Sequence, residues 1–380
     1  MTGKERVLKA ISHSEADRVP IDLGSSTATA INVKAYVALL ELLGYKDEKI
    51  EFYNVLSQLA KVDKKIIRRF SIDTCCIFPK LIFIEDFLQQ NDGSSVIDEW
   101  GIKWFMPKNN GHYYDMIYHP LENCSIEDLN NYKWVNGANP DRFTDMELQI
   151  NEALQEQNAL VLGATVGNGI FQTGNWLEGY YDFLCDVASG SGKAEMIMEK
   201  VLEIKIAFWE TVLDKWGPKL DIVFELDDLG MQSGLLISPE KYKTMIKPRQ
   251  KLLFEFIKKK SPHIKIMYHS CGSIKPLIPH LIETGIDILN PVQISAFDMN
   301  PADLKKEFGN DITFWGGGID TQYTLPKGTP EQIEFEIRKN LEIMAPGGGF
   351  VFAPVHNIQE EVPPENIIKM FETVLKYGRY

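Results

Sequence analysis

Eight short apolar runs punctuate the chain, each closing on a polar or glycine-rich cluster. They cover residues 19–24, 73–79, 159–166, 221–228, 264–271, 286–293, 312–318 and 349–355. Near-continuous apolar runs of this length predict parallel strands buried on both faces. Helical patterns fill the gaps between them. Ser238-Pro239-Glu240, Asn300-Pro301, Thr329-Pro330-Glu331 and Pro363-Pro364-Glu365 each carry a helix-start signature, with proline at or near the first helical position. Ile333, Ile337 and Leu341 then recur on one helical face. Eight strands alternating with helices predict an α/β fold, a (β/α)8 TIM barrel. A doubly wound open sheet is the competing architecture, and no Gly-x-Gly-x-x-Gly follows the first strand to support it.

One gap is too long for a simple crossover. Between the second and third strands, Val96 to Trp104 alternates loosely and Asn109-Asn110-Gly111 is a turn signal. A β-hairpin insertion over about 82–157, projecting over one end of the barrel, is the expected arrangement. The 380 residues then form a single domain, 1–380, because a barrel of ~250 residues plus this insertion and terminal helices uses most of the chain.

Composition narrows the partners. Forty basic against 53 acidic residues leave a net charge of −13, a poor balance for binding nucleic acid or an anionic membrane. No apolar run reaches the ~18 residues of a membrane span, and no signal-peptide pattern follows Met1. The five cysteines are odd in number and irregular in spacing. Reduced thiols in a cytoplasmic protein are therefore expected. Cys75-Cys76 sits mid-strand and reads as core. The run Lys258-Lys259-Lys260 reads as a solvated helix C-terminus.

The candidate chemistry gathers at strand ends. In 264–271, Lys265, Met267, His269 and Cys271 share one face, while Ile264, Ile266 and Tyr268 take the other. With the apolar set against helices, His269 and Cys271 point inward at the barrel mouth, an imidazole and a thiol of the kind that bind zinc. The same rule applied to 221–228 turns Asp221, Val223, Glu225 and Asp227 inward. His356 follows the last strand, so His269, Cys271, His356 and Glu225 form a three- or four-ligand metal set. The competing reading of the acids is a salt-bridge network or helix caps; that of His356 is a hydrogen-bonded rim residue. Asn168, Gln232, Asn290, Gln293 and Asp320 are further rim candidates for substrate binding. The glycines Gly316-Gly317-Gly318 before Asp320 permit close backbone approach or a simple turn.

These residues carry a family resemblance. The N-terminal twenty residues, the Asp98-Glu99-Trp100-Gly101 element, Asp227-Asp228-Leu229-Gly230 with Ser238-Pro239, His269-Ser270-Cys271-Gly272-Ser273 and the stretch 347–359 resemble the uroporphyrinogen decarboxylase superfamily, in order and over nearly the whole chain. The resemblance implies a (β/α)8 barrel. It also divides the function. The decarboxylase branch uses an N-terminal arginine-rich loop and an aspartate after the second strand, without metal. This chain has Ser25-Ser26-Thr27-Ala28-Thr29-Ala30 and Phe78-Pro79-Lys80 at those places. The cobalamin-dependent methyltransferase branch shares the His-x-Cys element, which there binds zinc. Its coenzyme M enzymes place a cysteine where His356 stands here, and a nitrogen- and oxygen-rich set suits polarising an oxygen. The resemblance thus implies a zinc-dependent methyltransferase, moving a methyl group between a small methoxylated substrate and a cobalamin (corrinoid) carried by a separate protein. Asp227 or Asp228 would orient the substrate or protonate the leaving oxygen. The superfamily's decarboxylases are dimers, which extends the expectation to a homodimer. The alternative function is metal-free decarboxylation of an acidic substrate.

Overall fold

The computed structural model describes residues 1–45, 49–89, 92–109 and 111–380. Its centre is a curled, all-parallel sheet of seven strands in sequential order. They are β1 (Thr74–Ile77), β2 (Ala159–Leu162), β3 (Ile222–Leu226), β4 (Lys265–His269), β5 (Ile288–Asn290), β6 (Thr313–Trp315) and β7 (Phe350–Val351). These are seven of the eight expected strands. The first, 19–24, is not a regular strand, yet it closes the ring. Phe352 N donates to Pro20 O and Asp22 N to Phe352 O on one side, while Asp73 N donates to Ile21 O on the other. A side chain completes the seam: Asp73 accepts from Ile21 N at 2.8 Å and pairs with Arg6 and Arg18 at 2.5 and 2.7 Å.

Two apolar layers follow from strand alternation. Inside the ring, Ala159, Val161, Ile222, Phe224, Met267, Ile288, Trp315, Val351 and Ala353 pack together, with Val7, Ala10 and Ile11 of helix α1 (Gly3–Ile11) among them. Outside, Leu160, Leu162, Val223, Ile266, Tyr268, Leu289, Phe314 and Phe350 meet the helices. The relevant helices are α2 (Ile170–Glu178), α3 (Lys193–Trp216) and α4 (Lys247–Lys260). The start signatures hold: Ser238, Asn300 and Thr329 cap helices with proline in the first turn, and Thr329 closes a capping box with Gln332. Among the described residues no helix is long and apolar enough to cross a membrane.

β4 faces the way its pattern predicts, and β3 does not. Ile222 and Phe224 point into the barrel; Val223 points out, and Glu225 turns with it toward the helices. The barrel interior is as apolar as the helix interface, so an alternating strand satisfies hydrophobic burial in either orientation. Partners decide it. Glu225, 2% exposed, accepts from Lys205 Nζ at 2.9 Å and Trp209 Nε1 at 2.6 Å, both on α3, and from Thr165 Oγ1 at 3.0 Å. Lys205 is itself fully buried. A paired, multiply hydrogen-bonded carboxylate is tolerated there where a lone one is not.

Between β1 and β2, where one hairpin was expected, lies a four-stranded antiparallel sheet of Phe83–Gln89, Gly93–Asp98, Lys103–Pro107 and Asp115–Tyr118. Its outer strands expose Ile84, Leu88, Ile117 and Tyr118, so they lack the alternation that marks a strand in sequence. Of the expected turn Asn109-Asn110-Gly111, Asn110 lies outside the described residues.

The Lys205–Glu225 pair generates a stability prediction. Lys205→Met leaves a buried carboxylate without its cation and should cost about 3–5 kcal/mol in urea unfolding. Adding Glu225→Gln should recover part of that loss. A single variant as stable as the parent would show that the pair is not holding α3 to β3.

Candidate metal centre at the barrel mouth

His269 ends β4 on the inner face, Cys271 follows two residues later, and His356 leaves the last strand through Ala353-Pro354-Val355. Their ligand atoms all lie within 4.8 Å of one another. His269 Nε2 is 3.2 Å from Cys271 Sγ, and the two imidazole centroids are 5.8 Å apart. Phe224 sits 6.0 Å from the His269 ring on the inner face. Gly272 allows the tight approach that carries Cys271 into place. Its φ is +87°, and a Cβ there would come within 2.6 Å of the Gly230 backbone.

Both imidazoles have their outer nitrogens committed. His269 Nδ1 lies 2.6 Å from Asn290 Oδ1, and His356 Nδ1 lies 2.5 Å from Asn357 Oδ1. A carboxamide oxygen only accepts, so each Nδ1 carries the proton and each Nε2 keeps its lone pair. That is the tautomer a metal-binding histidine uses, with its outer partner already in place. Burial lowers the His356 pKa to about 4, with the neighbouring His269 adding to the effect. Burial also raises the Cys271 thiol well above its ordinary range, and Asp228 pushes it further. Two imidazole nitrogens and a thiol sulfur fit a zinc ion, whose charge would draw the thiol to thiolate.

Asp228 borders the cluster. Its Oδ1 accepts from Cys271 N at 3.0 Å and stands 3.6 Å from His269 Nε2; its side chain is 37% exposed. Gln172 Nε2 donates to its Oδ2 at 3.1 Å. Asp227 faces the other way. It is buried behind β3, accepting from Gln172 N at 2.7 Å and Gln250 Nε2 at 2.9 Å, and burial raises it to about 7. Gln172 thus links the two aspartates, a role without any sequence signal. Tyr180, half exposed after α2, lies within electrostatic reach of Asp228.

The remaining candidates divide. Glu225 is not brought to the cluster; it is held by Lys205 on the helix side. Asn290 is fully buried, its Oδ1 on His269 and its Nδ2 on Trp315 O at 2.8 Å, so both ends of its amide are used in positioning. Asp320 is 6% exposed and accepts from Tyr323 N and Thr324 N, capping the short helix Thr324–Lys327. Gln293 accepts from Gly272 N at 2.7 Å and donates to Gln232 Oε1 at 3.0 Å, bracing the loop that carries Cys271. Asn168 is partly exposed, and its backbone N–H donates to Thr173 Oγ1. Cys75 is buried on the outer layer, but Cys76 faces inward, its Sγ 2.7 Å from Ser25 O. Neighbouring strand residues face opposite ways, so Cys75 joins the outer layer and Cys76, half-buried, faces the barrel interior.

A parallel barrel with a His-x-Cys element and a second imidazole at the C-terminal rim defines the class. The family model described as uroporphyrinogen decarboxylase (URO-D) matches residues 172–377, and the chain belongs to that family. A uroporphyrinogen decarboxylase from Trichodesmium erythraeum (strain IMS101) is 28% identical over 137 residues, a stretch spanning 36% of this chain and 36% of that relative, so about a third of each. Among solved structures, a methyltransferase from Methanosarcina mazei superposes with a TM-score of 0.67 over 99% of both chains at 16% identity. That likeness extends the barrel fold over the full length.

Asn290→Leu should orphan His269 Nδ1 and Trp315 O together, at about 1–3 kcal/mol for each buried group. Urea unfolding checks it; a loss below 0.5 kcal/mol, on the order of a surface substitution, would remove Asn290 from its positioning role.

Proposed function

We propose that the chain is a zinc-dependent methyltransferase that moves a methyl group between a small methylated substrate of the methoxylated class and a corrinoid carried by a separate protein. The observation that carries this reading is the cluster of His269, Cys271 and His356, with both imidazoles held in the ligating tautomer. The full-length likeness to a protein described as a methyltransferase supports it. So does the distribution of arginine. None occurs in residues 23–30, 78–81, 163–169, 227–238, 270–274, 291–299, 316–323 or 353–362, the segments that follow the barrel strands. Arg6 and Arg18 are spent on Asp73, Arg142 on Glu99 and Arg249 on Glu199. A polycarboxylate substrate would need cationic forks at the mouth, which weighs against decarboxylation of a uroporphyrinogen-like acid.

In this reading His269, Cys271 and His356 hold the zinc, and a position stays open for substrate. Bound there, zinc supplies Lewis acidity toward the oxygen that leaves as the methyl group departs. The chain's own residues do the rest. Asn290 and Asn357 fix the two rings. Asp228, the partly exposed acid beside them, orients the substrate or holds the proton that the leaving oxygen takes up. Phe224, packed beside the His269 ring on the inner face, gives the site an apolar side that limits water. Asn168 and Tyr180 stand at the rim where substrate enters. The corrinoid reaches the mouth on its own protein.

Metal analysis of protein purified without chelator should give about one zinc per chain. Cys271→Ala should lose the metal and methyl transfer to a corrinoid while keeping its circular dichroism. A chain that takes up no zinc, or a Cys271→Ala variant with parental turnover, would overturn the assignment.

A further inference from the structure

The two imidazoles are anchored differently. Asn290, which holds His269, is fixed at its other end by a backbone carbonyl, Trp315 O. Asn357, which holds His356, is fixed by side chains. Gln359 Nε2 donates to the same Asn357 Oδ1 that receives His356 Nδ1–H, and Gln359 Oε1 accepts from the Tyr113 hydroxyl. Tyr113 belongs to the antiparallel insertion, just before its strand Asp115–Tyr118. The chain Tyr113, Gln359, Asn357, His356 therefore runs from the insertion to the cluster.

Amides transmit polarity along such a chain. With the tyrosine hydroxyl donating to Oε1, Gln359 must present its NH₂ to Asn357. Asn357 must then present its oxygen, and His356 must carry its proton on Nδ1. A phenol hydroxyl donates more readily than it accepts, so it favours this orientation of Gln359; without it, Gln359 is free to reverse. Reversal puts two amide oxygens face to face unless Asn357 reverses too. Its NH₂ then meets His356 Nδ1, and the proton moves to Nε2, the atom needed for ligation. We infer that Tyr113 is a positioning residue which, through Gln359 and Asn357, sets the tautomer of His356 and so makes the metal centre depend on the insertion.

The loop backbone does not need Tyr113. Ile358 is held from the opposite side: its N–H donates to Ala30 O, and its carbonyl accepts from Asn32 N. Asn357 is 5% exposed. A second tie from the insertion, His112 Nδ1 to Glu360 Oε1 at 2.6 Å, remains when the tyrosine hydroxyl is removed. Loss of the hydroxyl thus acts on side-chain orientation, with the fold left in place.

The tautomer claim stands without metal; its consequence for binding rests on the zinc reading above, and the two are measured separately. In metal-free protein at pH 7.5, ¹⁵N-resolved imidazole spectra should show His356 with its proton on Nδ1. Tyr113→Phe should shift it toward Nε2–H, and Gln359→Leu should do the same. Cobalt(II), as a zinc substitute, should bind the parent chain. Affinity measured by chelator competition should fall about 10–100-fold in either variant, the range for loss of an outer partner, with an altered visible spectrum. The double variant should be no weaker than either single, since both break one chain. An unshifted His356 tautomer in both folded variants overturns the inference whatever the metal does. A tautomer shifted in the variants, alongside a parent chain that binds no cobalt or zinc, upholds it and sinks the zinc reading instead.

Discussion

The register between β4 and β5 is the constraint on which the site depends. It sets His269 opposite Asn290 on neighbouring parallel strands. From there the asparagine side chain reaches the imidazole on one side and Trp315 O of β6 on the other, while Ser270 N donates to Asn290 O. Three adjacent strands are thereby pinned around one ring nitrogen. A one-residue slip would turn His269 to the helix side and leave Asn290 buried with nothing to satisfy it. Cys271 depends on the same register, because it extends from β4 and is fixed by Asp228, which extends from β3.

The barrel was legible because each parallel strand must be apolar on both faces, and such runs stand out between capped helices. That same property hid the facing of β3. Alternation tells which residues share a side, not which side is inside. For β4 the assumption that apolar residues face helices held, since Met267 and His269 point inward. For β3 it failed, since Phe224 belongs to the dry barrel interior and Glu225 to a buried pair with Lys205. The partner that decides the matter lies twenty residues earlier in the sequence, on a helix whose lysine carries no local mark of burial. The first predicted strand failed as a regular element for a related reason: its seam is completed by the Asp73 carboxylate in place of a second ladder bond.

Within the site, the ligating side chains were readable and their supports were not. A histidine and cysteine two apart at a strand end announce themselves by type and spacing. Gln172, Asn357, Gln359 and Tyr113 do not, because an amide's value lies in what it touches, and those contacts join residues far apart in the chain. Asp320 and Asn290 illustrate the reverse. Both sit after strands, where a functional residue is expected, but one caps a helix and the other orients a histidine. Position at the rim selects polar residues for both purposes, since every strand end there must also satisfy its own backbone.

The acids show how the same economy shapes the chemistry. Asp22 is fully buried in the barrel, satisfied by Thr74, Ser25 and Trp315 Nε1, and burial raises its pKa. Asp227 and Glu225 are enclosed on the helix side. Of the carboxylates on or just beyond β3 and the ring closure, only Asp228 meets both the solvent and the cluster. A proton is most easily exchanged by a group that water can reach, and most usefully placed by one within a few ångströms of the reacting atoms. Asp228 alone among them satisfies both conditions. The gathering of the other acids onto lysine, tryptophan, glutamine and hydroxyl partners leaves Asp228 as the exposed carboxylate of that group, beside two imidazoles and a thiol.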